Sequence, residues 1–533
     1  MKIAARRSAP VGRLSRRALL TGGLAAGGLG GLGRLRVSPD TAADAAGGTP
    51  PRRGGILFAA QDVDPISLDP HTNANISALQ GYEHAYEGLT TYDERLEVVP
   101  ALAARWEVSA DQKTYTFHLR PGVKFHNDQP LTARDVKYSI ERVLDPKTAS
   151  PFRNVFAVID GVRALDPLTV QVILTEPYPG LLSEFASLRA SGVVPDGIAE
   201  RENLSLKAIG TGPFKLQEYV PQDHFSYIRH DQYWGNPLPY LDGMTFKILT
   251  EEDARLSALR AGQIQYANLS AQGALQTKSA AGITLLQSPF AWAAAHRLDV
   301  AEKPLNDARV RRAIRMAVDT NEVIQKAVYG AGVPTGPLPT GFGGWSLDPR
   351  TLPYQTPDLE GARRLLAEAG YPNGGVTFTI KCSPQYPEFV AFSAVLQESV
   401  KKIGVTVNLE RLEWGAFLKD LARPFNFQAG ATAWTFRSDP DGYLYPFFHS
   451  SGVFNAGPYR NPRVDRLLEE ARRITVNPER VRAYQDIQRI LLDDAAAWWY
   501  YVKINIEALS TRIQGYAQSF TGRRMFLKRA WMG

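Results

Sequence analysis

Strand patterns and helix patterns follow one another in mixed order from residue 54 onward, and this mixture predicts an α/β or α+β fold in layers. Apolar residues occupy alternate positions in 114–119, 170–174 and 405–409, as in half-buried strands. They recur at helical spacing in 310–318, 464–474 and 481–491, and Asn306-Asp307 can cap the first of these helices. The 533 residues are enough for roughly two to four domains of ordinary size.

The composition excludes several protein classes. A hydrophobic fraction of 44% and a charged fraction of 22% are typical of a globular chain and exclude a disordered one. The single cysteine, Cys382, excludes a disulfide framework. The net charge of +7 comes from residues 1–53, which hold ten Lys+Arg and two acids, so that the remainder has 51 bases and 52 acids. We therefore expect no nucleic-acid partner.

Residues 1–53 have the pattern of an export signal followed by a linker. A basic stretch precedes an apolar run in 18–32 that is too short and too rich in glycine to span a bilayer. The sequence SRRALL at 15–20 resembles a twin-arginine signal, which implies export of a folded protein. A chance Arg-Arg pair is the alternative, and general secretion would then remain. Since no cysteine lies near this segment, we expect a soluble periplasmic protein that is not a lipoprotein.

The sequence contains no recognisable catalytic motif. None of the eight histidines belongs to an H-E-x-x-H pattern, and neither a G-x-S-x-G elbow nor a phosphate-binding loop is present. This absence favours a binding protein over an enzyme. We therefore assign no catalytic residue, no metal ligand and no cofactor.

Four consecutive blocks carry a resemblance to a known family: LAARWE at 102–107, TYTFHLR at 114–120, GVKFH at 122–126 and PLTARDV at 130–136. Together they closely resemble the signature of the family 5 extracellular solute-binding proteins, the peptide-, opine- and nickel-binding components of bacterial ABC importers. Later blocks at 210–214, 304–314 and 434–440 follow in the family's order. The resemblance thus covers essentially the whole chain after the signal.

The resemblance implies a two-lobed periplasmic-binding fold of type II, with an inserted subdomain and a central cleft that closes on the ligand. On that basis we expect lobe I to comprise 54–93, 207–289 and 501–533. The inserted subdomain is then 94–206 and lobe II is 290–500. Closure by hinge motion is known for periplasmic binding proteins in general. The closed form would be the one that the permease recognises, and we expect a monomer.

The resemblance also indicates ligand-binding residues. Tyr86, Glu87 and Gly88 match a family segment that lines the cleft from lobe I, and Trp434 can supply a flat apolar wall or belong to the core. In peptide-binding relatives an Asp stands three residues after this Trp and pairs with the peptide's α-ammonium group. Here that position is Arg437, which puts recognition of a free amino terminus in doubt.

Three interpretations of this departure remain open. Arg437 can bind a carboxylate or phosphate of the ligand with its planar fork of donors. Alternatively, since the segment reaches its Asp-Pro at 439–440 one residue sooner than in those relatives, the shorter loop brings Asp439 into the role of binding a cationic ligand. Finally, Arg437 can pair with Asp439 or Asp441 and only brace the loop.

These observations predict a periplasmic protein that captures a peptide-like or opine-like small molecule with an anionic group and delivers it to an ABC transporter permease. One alternative is a secreted hydrolase. Another is a nickel–chelate or haem binder on the same fold, which would need His296 and His449 to converge.

Overall fold

A computed structural model describes residues 50–533 apart from 74, 423–424, 453, 456–458 and 475–476. The twin-arginine sequence at 15–20 lies outside the described residues. Among the helices of the described part, none is both long enough and apolar enough to cross a bilayer.

The described residues contain nineteen strands. They are β1 (Ile56–Gln61), β2 (Thr90–Tyr92), β3 (Val98–Pro100), β4 (Ala103–Val108), β5 (Thr114–Leu119), β6 (Ile159–Asp166), β7 (Thr169–Leu174), β8 (Phe214–Val220), β9 (His224–Arg229), β10 (Gly243–Ile248), β11 (Tyr266–Leu269), β12 (Ile283–Leu298), β13 (Gly332–Pro334), β14 (Val376–Cys382), β15 (Val405–Arg411), β16 (Ala429–Thr435), β17 (Ala497–Ser510), β18 (Ile513–Gln514) and β19 (Trp531–Met532).

The same part of the chain contains fourteen α-helices and four short 3₁₀ turns. The helices are α1 (Ile76–Tyr82), α2 (Ala133–Leu144), α3 (Arg153–Phe156), α4 (Leu181–Ser187), α5 (Glu252–Arg260), α6 (Ala271–Thr277), α7 (Ala308–Met316), α8 (Thr320–Val328), α9 (Leu359–Glu368), α10 (Pro387–Lys401), α11 (Trp414–Leu421), α12 (Pro440–Phe448), α13 (Pro462–Ala471) and α14 (Asn477–Asp493). The 3₁₀ turns are Pro146–Thr148, Gly343–Trp345, Pro349–Thr351 and Met525–Arg529.

The elements predicted from local patterns are confirmed. The alternating segment 114–119 is β5, with Tyr115, Phe117 and Leu119 buried as expected. The other two alternating segments lie in β7 and β15. The Asp307 side chain caps α7 by accepting a hydrogen bond from the Arg309 backbone N–H. Local sequence fixes these elements because a cap and an apolar stripe act within a few residues.

One large sheet of eleven strands organises the chain. Its order is β15-β14-β16-β12-β17-β11-β1-β10-β9-β8, and β13 pairs with β17 off this path. At one end, β1 runs parallel to β10 and β11, and at the other end β14 runs parallel to β15 and β16. We call these ends lobe I and lobe II. A separate four-stranded sheet, β4-β5-β7-β6, covers 103–174 and lies inside the predicted insertion 94–206.

Two long antiparallel strands, β12 and β17, connect the lobes. They pair from Ile283 with Ser510 to Arg297 with Ala497, and their register shifts between Pro289 and Ala293. Lobe I strands pair with one end of this ribbon, and β16 of lobe II pairs with the other. The predicted lobe borders at 289/290 and 500/501 fall inside these strands, so the residue-level borders stay a prediction.

Trp498, which lies on β17 and is fully buried, packs the ribbon against lobe II. Its ring lies 5.9 Å from that of His296 and 5.8 Å from that of Phe378, and its Nε1 donates to the Arg311 carbonyl oxygen at 3.1 Å. Trp498 therefore connects β17 with the strand and helix layers of lobe II.

We expect Trp498→Ala to lower the free energy of unfolding by about 3–5 kcal/mol, because it leaves a large cavity and an acceptor without its donor. Urea titration followed by circular dichroism measures this loss. The matched control Leu418→Ala, at a side chain that is 44% exposed, should change it by no more than about 0.5 kcal/mol. Equal effects of the two variants would contradict the central role of Trp498.

Candidate functional site

The carboxyl ends of the parallel strands in lobe II meet at one edge of the sheet. Tyr386 follows β14, Trp414 follows β15, and Arg437 follows β16 by two residues. Ligands of open α/β sheets bind outside the carboxyl ends of such strands. This edge is therefore the candidate functional site, and the Tyr386 and Trp414 rings, 4.9 Å apart, show that its loops lie together.

Arg437 presents an exposed guanidinium group at this edge. Its backbone N–H donates to the Tyr443 hydroxyl at 3.1 Å, which fixes the start of the side chain. Its Nη1 reaches only the Thr435 hydroxyl at 3.5 Å and the Phe436 carbonyl oxygen at 3.4 Å. Among the residues that the structure describes, no carboxylate forms an ion pair with Arg437.

The acids of the same loop have other partners. Asp439 is 2% exposed, caps α12, and receives two hydrogen bonds from Arg480 at 2.6 and 2.7 Å. Asp441 lies 3.3 Å from the Arg472 Nε and accepts from the Tyr484 hydroxyl at 3.2 Å. The suggestion that Arg437 braces the loop by pairing with these acids is therefore wrong, because Arg480 and Arg472 take that role.

The proposed cationic-ligand role of Asp439 finds no support in this geometry. Both carboxylate oxygens are occupied by Arg480, and the Asp441 backbone N–H also donates to Asp439 at 2.9 Å. A carboxylate that is buried and neutralised in this way gains little from a further ion pair with an ammonium group. Its role in the described structure is to hold the start of α12.

Trp434 belongs to the core. It is 5% exposed on β16, and its ring lies between those of Phe448, at 6.5 Å, and Trp499, at 5.9 Å, with Phe447 at 5.7 Å. Of the two roles considered for this residue, the structure favours core packing. The aromatic surface at the sheet edge comes from other residues.

Glu87 ties lobe I to neighbouring segments. Its carboxylate accepts hydrogen bonds from the Thr211 hydroxyl at 3.0 Å, the Tyr233 hydroxyl at 2.7 Å and the Trp234 Nε1 at 2.8 Å. Burial raises the pKa of Glu87, while the nearby Lys528 ammonium and these hydrogen bonds oppose the rise. All of these partners are protein groups, so ligand contact by this side chain stays a prediction.

Tyr86 and Gly88 are packed against protein in the same way. Tyr86 is 1% exposed, and its hydroxyl accepts from the Ile209 backbone N–H at 3.2 Å. A Cβ atom at Gly88 would lie 2.2 Å from the Phe185 carbonyl oxygen, so only glycine fits there. The Gly88 carbonyl oxygen accepts from the Leu102 N–H. This segment packs against the predicted insertion through Phe185 and Leu102, and its ligand contacts also stay a prediction.

An aromatic wall, which the sequence did not predict, lies at the sheet edge. It consists of Trp292, Tyr386, Phe389 and Trp414. Tyr386 stacks on Phe389 at 5.1 Å, and Phe389 stacks on Trp292 at 5.9 Å. Three of these rings, those of Trp292, Tyr386 and Trp414, are partly exposed. The signal that could have found Tyr386 and Trp414 is their position just after two strand-type segments.

A charged pair borders this wall. The Lys503 ammonium lies 4.4 Å from the centre of the Trp292 ring and forms an ion pair with Glu388. Lys503 stands on β17, and Glu388 stands in the first turn of α10. The pair thus fixes the helix start beside the connecting ribbon and leaves this side of the site close to neutral.

The loop 436–439, which contains Arg437, lies close to α4. The Tyr92 hydroxyl lies 3.0 Å from the Ser183 carbonyl oxygen of α4 and 3.1 Å from the Ser438 carbonyl oxygen. Burial raises the pKa of Glu184, also on α4, to about 7, with Asp439 adding to the rise and Ser438, Tyr178 and Arg437 opposing it. Lobe II and α4 therefore meet at a carboxyl group whose pKa is raised toward neutral pH.

His296 and His449 do not form a common metal site. His296 is buried between the Tyr500 hydroxyl at 2.8 Å and the Ser393 hydroxyl at 2.9 Å. The His449 Nδ1 lies 2.7 Å from the Ser451 hydroxyl, and its Nε2 lies 3.3 Å from a carboxylate oxygen of Glu469. Within the described ranges, no three His, Cys, Asp or Glu side chains are grouped as metal ligands. The convergence that the metal-binding alternative needs is thus contradicted.

Sequence comparison decides the family. A family model for "Bacterial extracellular solute-binding proteins, family 5 Middle" matches residues 97–455. The chain belongs to the family 5 solute-binding proteins. This family consists of substrate-binding components of ABC importers and not of enzymes, so the hydrolase alternative loses its basis.

Individual relatives and solved structures agree with this family assignment. Heme-binding protein A of Haemophilus influenzae is 30% identical over 503 residues, covering 87% of this chain and 89% of the relative. The dipeptide-binding protein of Escherichia coli is 30% identical over 471 residues, covering 81% and 85%. The structure of HbpA2 from Haemophilus parasuis has a TM-score of 0.82 at 28% identity, covering 90% and 100%. The predicted two-lobed type II fold is confirmed.

We expect Asp439→Asn to lower the free energy of unfolding by about 3–5 kcal/mol, because it leaves the buried Arg480 charge without its counter-ion. Asparagine can still cap α12, so the loss reports mainly on the ion pair. Urea unfolding measures it. Removing both charges in Asp439→Asn/Arg480→Met should recover part of the loss, and a loss below about 1 kcal/mol in the single variant would contradict this account.

Glu184→Gln should stabilise the protein increasingly as the pH rises. Because the pKa of Glu184 is about 7 in the folded state and near 4.5 in the unfolded chain, the native state holds the extra proton between these values. Raising the pH through this window therefore destabilises the wild type but not the variant. We expect a gain of about 1–3 kcal/mol at pH 8 and almost none at pH 4.5, measured by urea unfolding. A pH-independent difference would count against this expectation.

Proposed function

We propose that this protein is a periplasmic solute-binding protein that captures a peptide-like or opine-like small molecule with an anionic group and delivers it to an ABC transporter permease. Export through the N-terminal segment 1–53 and action as a monomer are parts of the same proposal. The family membership supports the transport role, and the geometry of the sheet edge supports the ligand class.

The exposed guanidinium group of Arg437 carries the proposal. It stands at the carboxyl edge of the parallel strands, where ligands of such sheets bind. The acids of its own loop, Asp439 and Asp441, are already neutralised by Arg480 and Arg472. The arginine therefore keeps its charge for an incoming group, and a planar fork of donors matches a carboxylate or a phosphate.

The aromatic wall supports the peptide-like or opine-like part of the proposal. Tyr386, Trp414 and Trp292 have partly exposed rings at the same sheet edge as Arg437, and Trp292 pairs with Thr435, two residues before this arginine. Sites for small molecules are usually lined by aromatic and apolar side chains, with a few polar groups that fix orientation. A ligand with one acidic group and a carbon skeleton fits such a site, because Arg437 can bind the acidic group while the aromatic rings pack against the rest. The 30% identity to a dipeptide-binding protein points in the same direction.

We expect Arg437→Ala to weaken binding of carboxylate ligands by about 10- to 100-fold, the range of a lost charge-assisted hydrogen bond. Isothermal titration calorimetry with dipeptides, glutathione and their neutral amide or ester derivatives measures this. The variant should bind the neutral derivatives as the wild type does. Native mass spectrometry of freshly purified protein first identifies any co-purified ligand, which is then added to the panel.

Two control variants sharpen this test. Arg437→Lys keeps the charge but not the planar fork, so its affinity should lie between wild type and Arg437→Ala. Arg364→Ala removes an exposed arginine on α9 and should leave every affinity unchanged. Equal affinity of wild type and Arg437→Ala for every carboxylate ligand that binds would refute the anionic-ligand proposal.

A further inference from the structure

Arg297 stands at the amino end of β16, the end opposite to the candidate functional site. It is the last residue but one of β12 and pairs with Gly430 at the beginning of β16. Arg437 follows the other end of β16, where Trp292 pairs with Thr435. The five residues of strand from Gly430 to Thr435 span about 17 Å. A group bound at Arg297 therefore lies outside the candidate functional site.

Three aromatic rings surround the Arg297 guanidinium group. Its central carbon lies 5.6 Å from the centre of the Phe447 ring, 5.7 Å from that of Phe427 and 5.9 Å from that of Phe425. The face of an aromatic ring attracts a positive charge, but it offers no oxygen to the five N–H donors of an arginine. The rings therefore stabilise the charge without satisfying its hydrogen bonds.

The hydrogen-bond donors of Arg297 are mostly unused. Its Nη2 donates to the Phe454 carbonyl oxygen at 2.7 Å. Within the described part of the chain this is its only hydrogen bond, and no Asp or Glu forms an ion pair with it. The undescribed residues nearest in sequence to its aromatic neighbours, 423–424, 453 and 456–458, include no acid. The guanidinium group thus has donors left for a further acceptor.

The charge of Arg297 also lacks the compensation that another arginine of lobe II receives. Burial lowers the pKa of Arg297 to about 10, and no acid opposes this shift. Burial lowers the pKa of Arg480 too, but the Asp439 carboxylate outweighs this effect and raises the pKa overall. Because a buried charge is costly unless it is paired, an anion that reached Arg297 would bind favourably.

A small cavity lies beside the guanidinium group. It has about 290 Å³ of space, part of it open to solvent, which is below the usual size of a site for a drug-sized ligand. Besides Arg297, it is lined by the aromatic residues Trp434, Phe447, Phe448 and Phe454. Phe454 is 48% exposed and so leaves apolar surface uncovered at this place. The cavity suits a small molecule that is partly apolar.

A carboxylate with a short apolar chain matches these features. The planar fork of a guanidinium group donates two parallel hydrogen bonds to a carboxylate. Aromatic walls pack against an apolar chain, as in other sites that combine apolar surface with a few polar groups. Phosphate or sulfate matches less well, because such an ion is hydrated on every side and one arginine replaces the water on only one of them.

We propose that Arg297 and the phenylalanine rings around it form a second binding site, which takes a small monocarboxylate with a short apolar chain. The carboxylate supplies the counter-charge that no described acid gives Arg297, and the chain of the ligand covers exposed aromatic surface. This site goes beyond the proposed function, because it lies at the other end of β16 and does not use Arg437.

Butyrate is the probe for this site, and butyramide is its uncharged counterpart. Thermal unfolding of the full chain at constant ionic strength measures binding, because a ligand of the native state raises the midpoint. We expect butyrate to raise the midpoint up to saturation and butyramide to leave it unchanged. Arg297→Gln should weaken the apparent affinity for butyrate at least tenfold. Phe454→Ala, at an exposed ring, should weaken it at least threefold.

Two further variants make the test specific. Arg297→Lys keeps the positive charge but not the planar fork, so it should lose at least threefold in butyrate affinity, and it serves if Arg297→Gln does not fold. Arg437→Ala should bind butyrate as the wild type does, because its site lies at the other end of β16. Ligand-observed NMR with butyrate checks the same affinities without unfolding the protein.

An unchanged butyrate affinity in Arg297→Gln, or equal effects of butyrate and butyramide, would overturn the proposal. An equal effect of chloride would do the same, since it would indicate a general salt effect only.

The same variants separate this site from the proposed function. If Arg437→Ala abolishes butyrate binding and Arg297→Gln retains it, the second site fails and the proposed function stands. If butyrate binding requires Arg297 while Arg437→Ala leaves every carboxylate affinity unchanged, the proposed ligand class fails and the second site stands.

Discussion

The pairing of β12 with β17 is the constraint on which the remaining structure depends. These strands are neighbours in the middle of the large sheet, where β12 also pairs with β16 of lobe II and β17 also pairs with β11 of lobe I, so both lobes share one hydrogen-bonded ribbon. The register shift between Pro289 and Ala293 interrupts regular pairing near the middle of β12. Because irregular pairing bends and twists a strand, we expect any change in the angle between the lobes to occur at this position.

The candidate site depends on a second set of strand pairs. The parallel pairing of β14 with β15 and with β16 brings the carboxyl ends of these three strands to one edge, and that edge carries Tyr386, Trp414 and Arg437. Asp439 and Asp441 near this edge are neutralised by Arg480 and Arg472, so the anionic solute that we propose would meet little repulsion from them. The arrangement separates two tasks: buried ion pairs such as Asp439 with Arg480 hold the loops, whereas the exposed Arg437, which takes no part in these pairs, is the residue that we propose for the solute.

Much of the fold could be predicted from the sequence, but only part of the candidate site. Alternation in 114–119 and the cap at Asp307 act within a few residues, and the structure confirms both. Trp434 was equally compatible with core and cleft, because an aromatic side chain has the same local pattern in both places. Its burial between Phe448 and Trp499 depends on how α12 and β17 pack.

By itself, the sequence determined the family, the fold class and the presence of an arginine where peptide-binding relatives carry an acid. Only the tertiary structure decided that this arginine does not pair with the acids of its own loop. Asp439 forms its ion pair with Arg480, which stands 41 positions further along the chain. Because Asp441 lies against Arg472, Arg437 has no ion-pair partner among the acids of its own loop. Ion pairs of this kind depend on distances between elements, and no local pattern of residues encodes those distances.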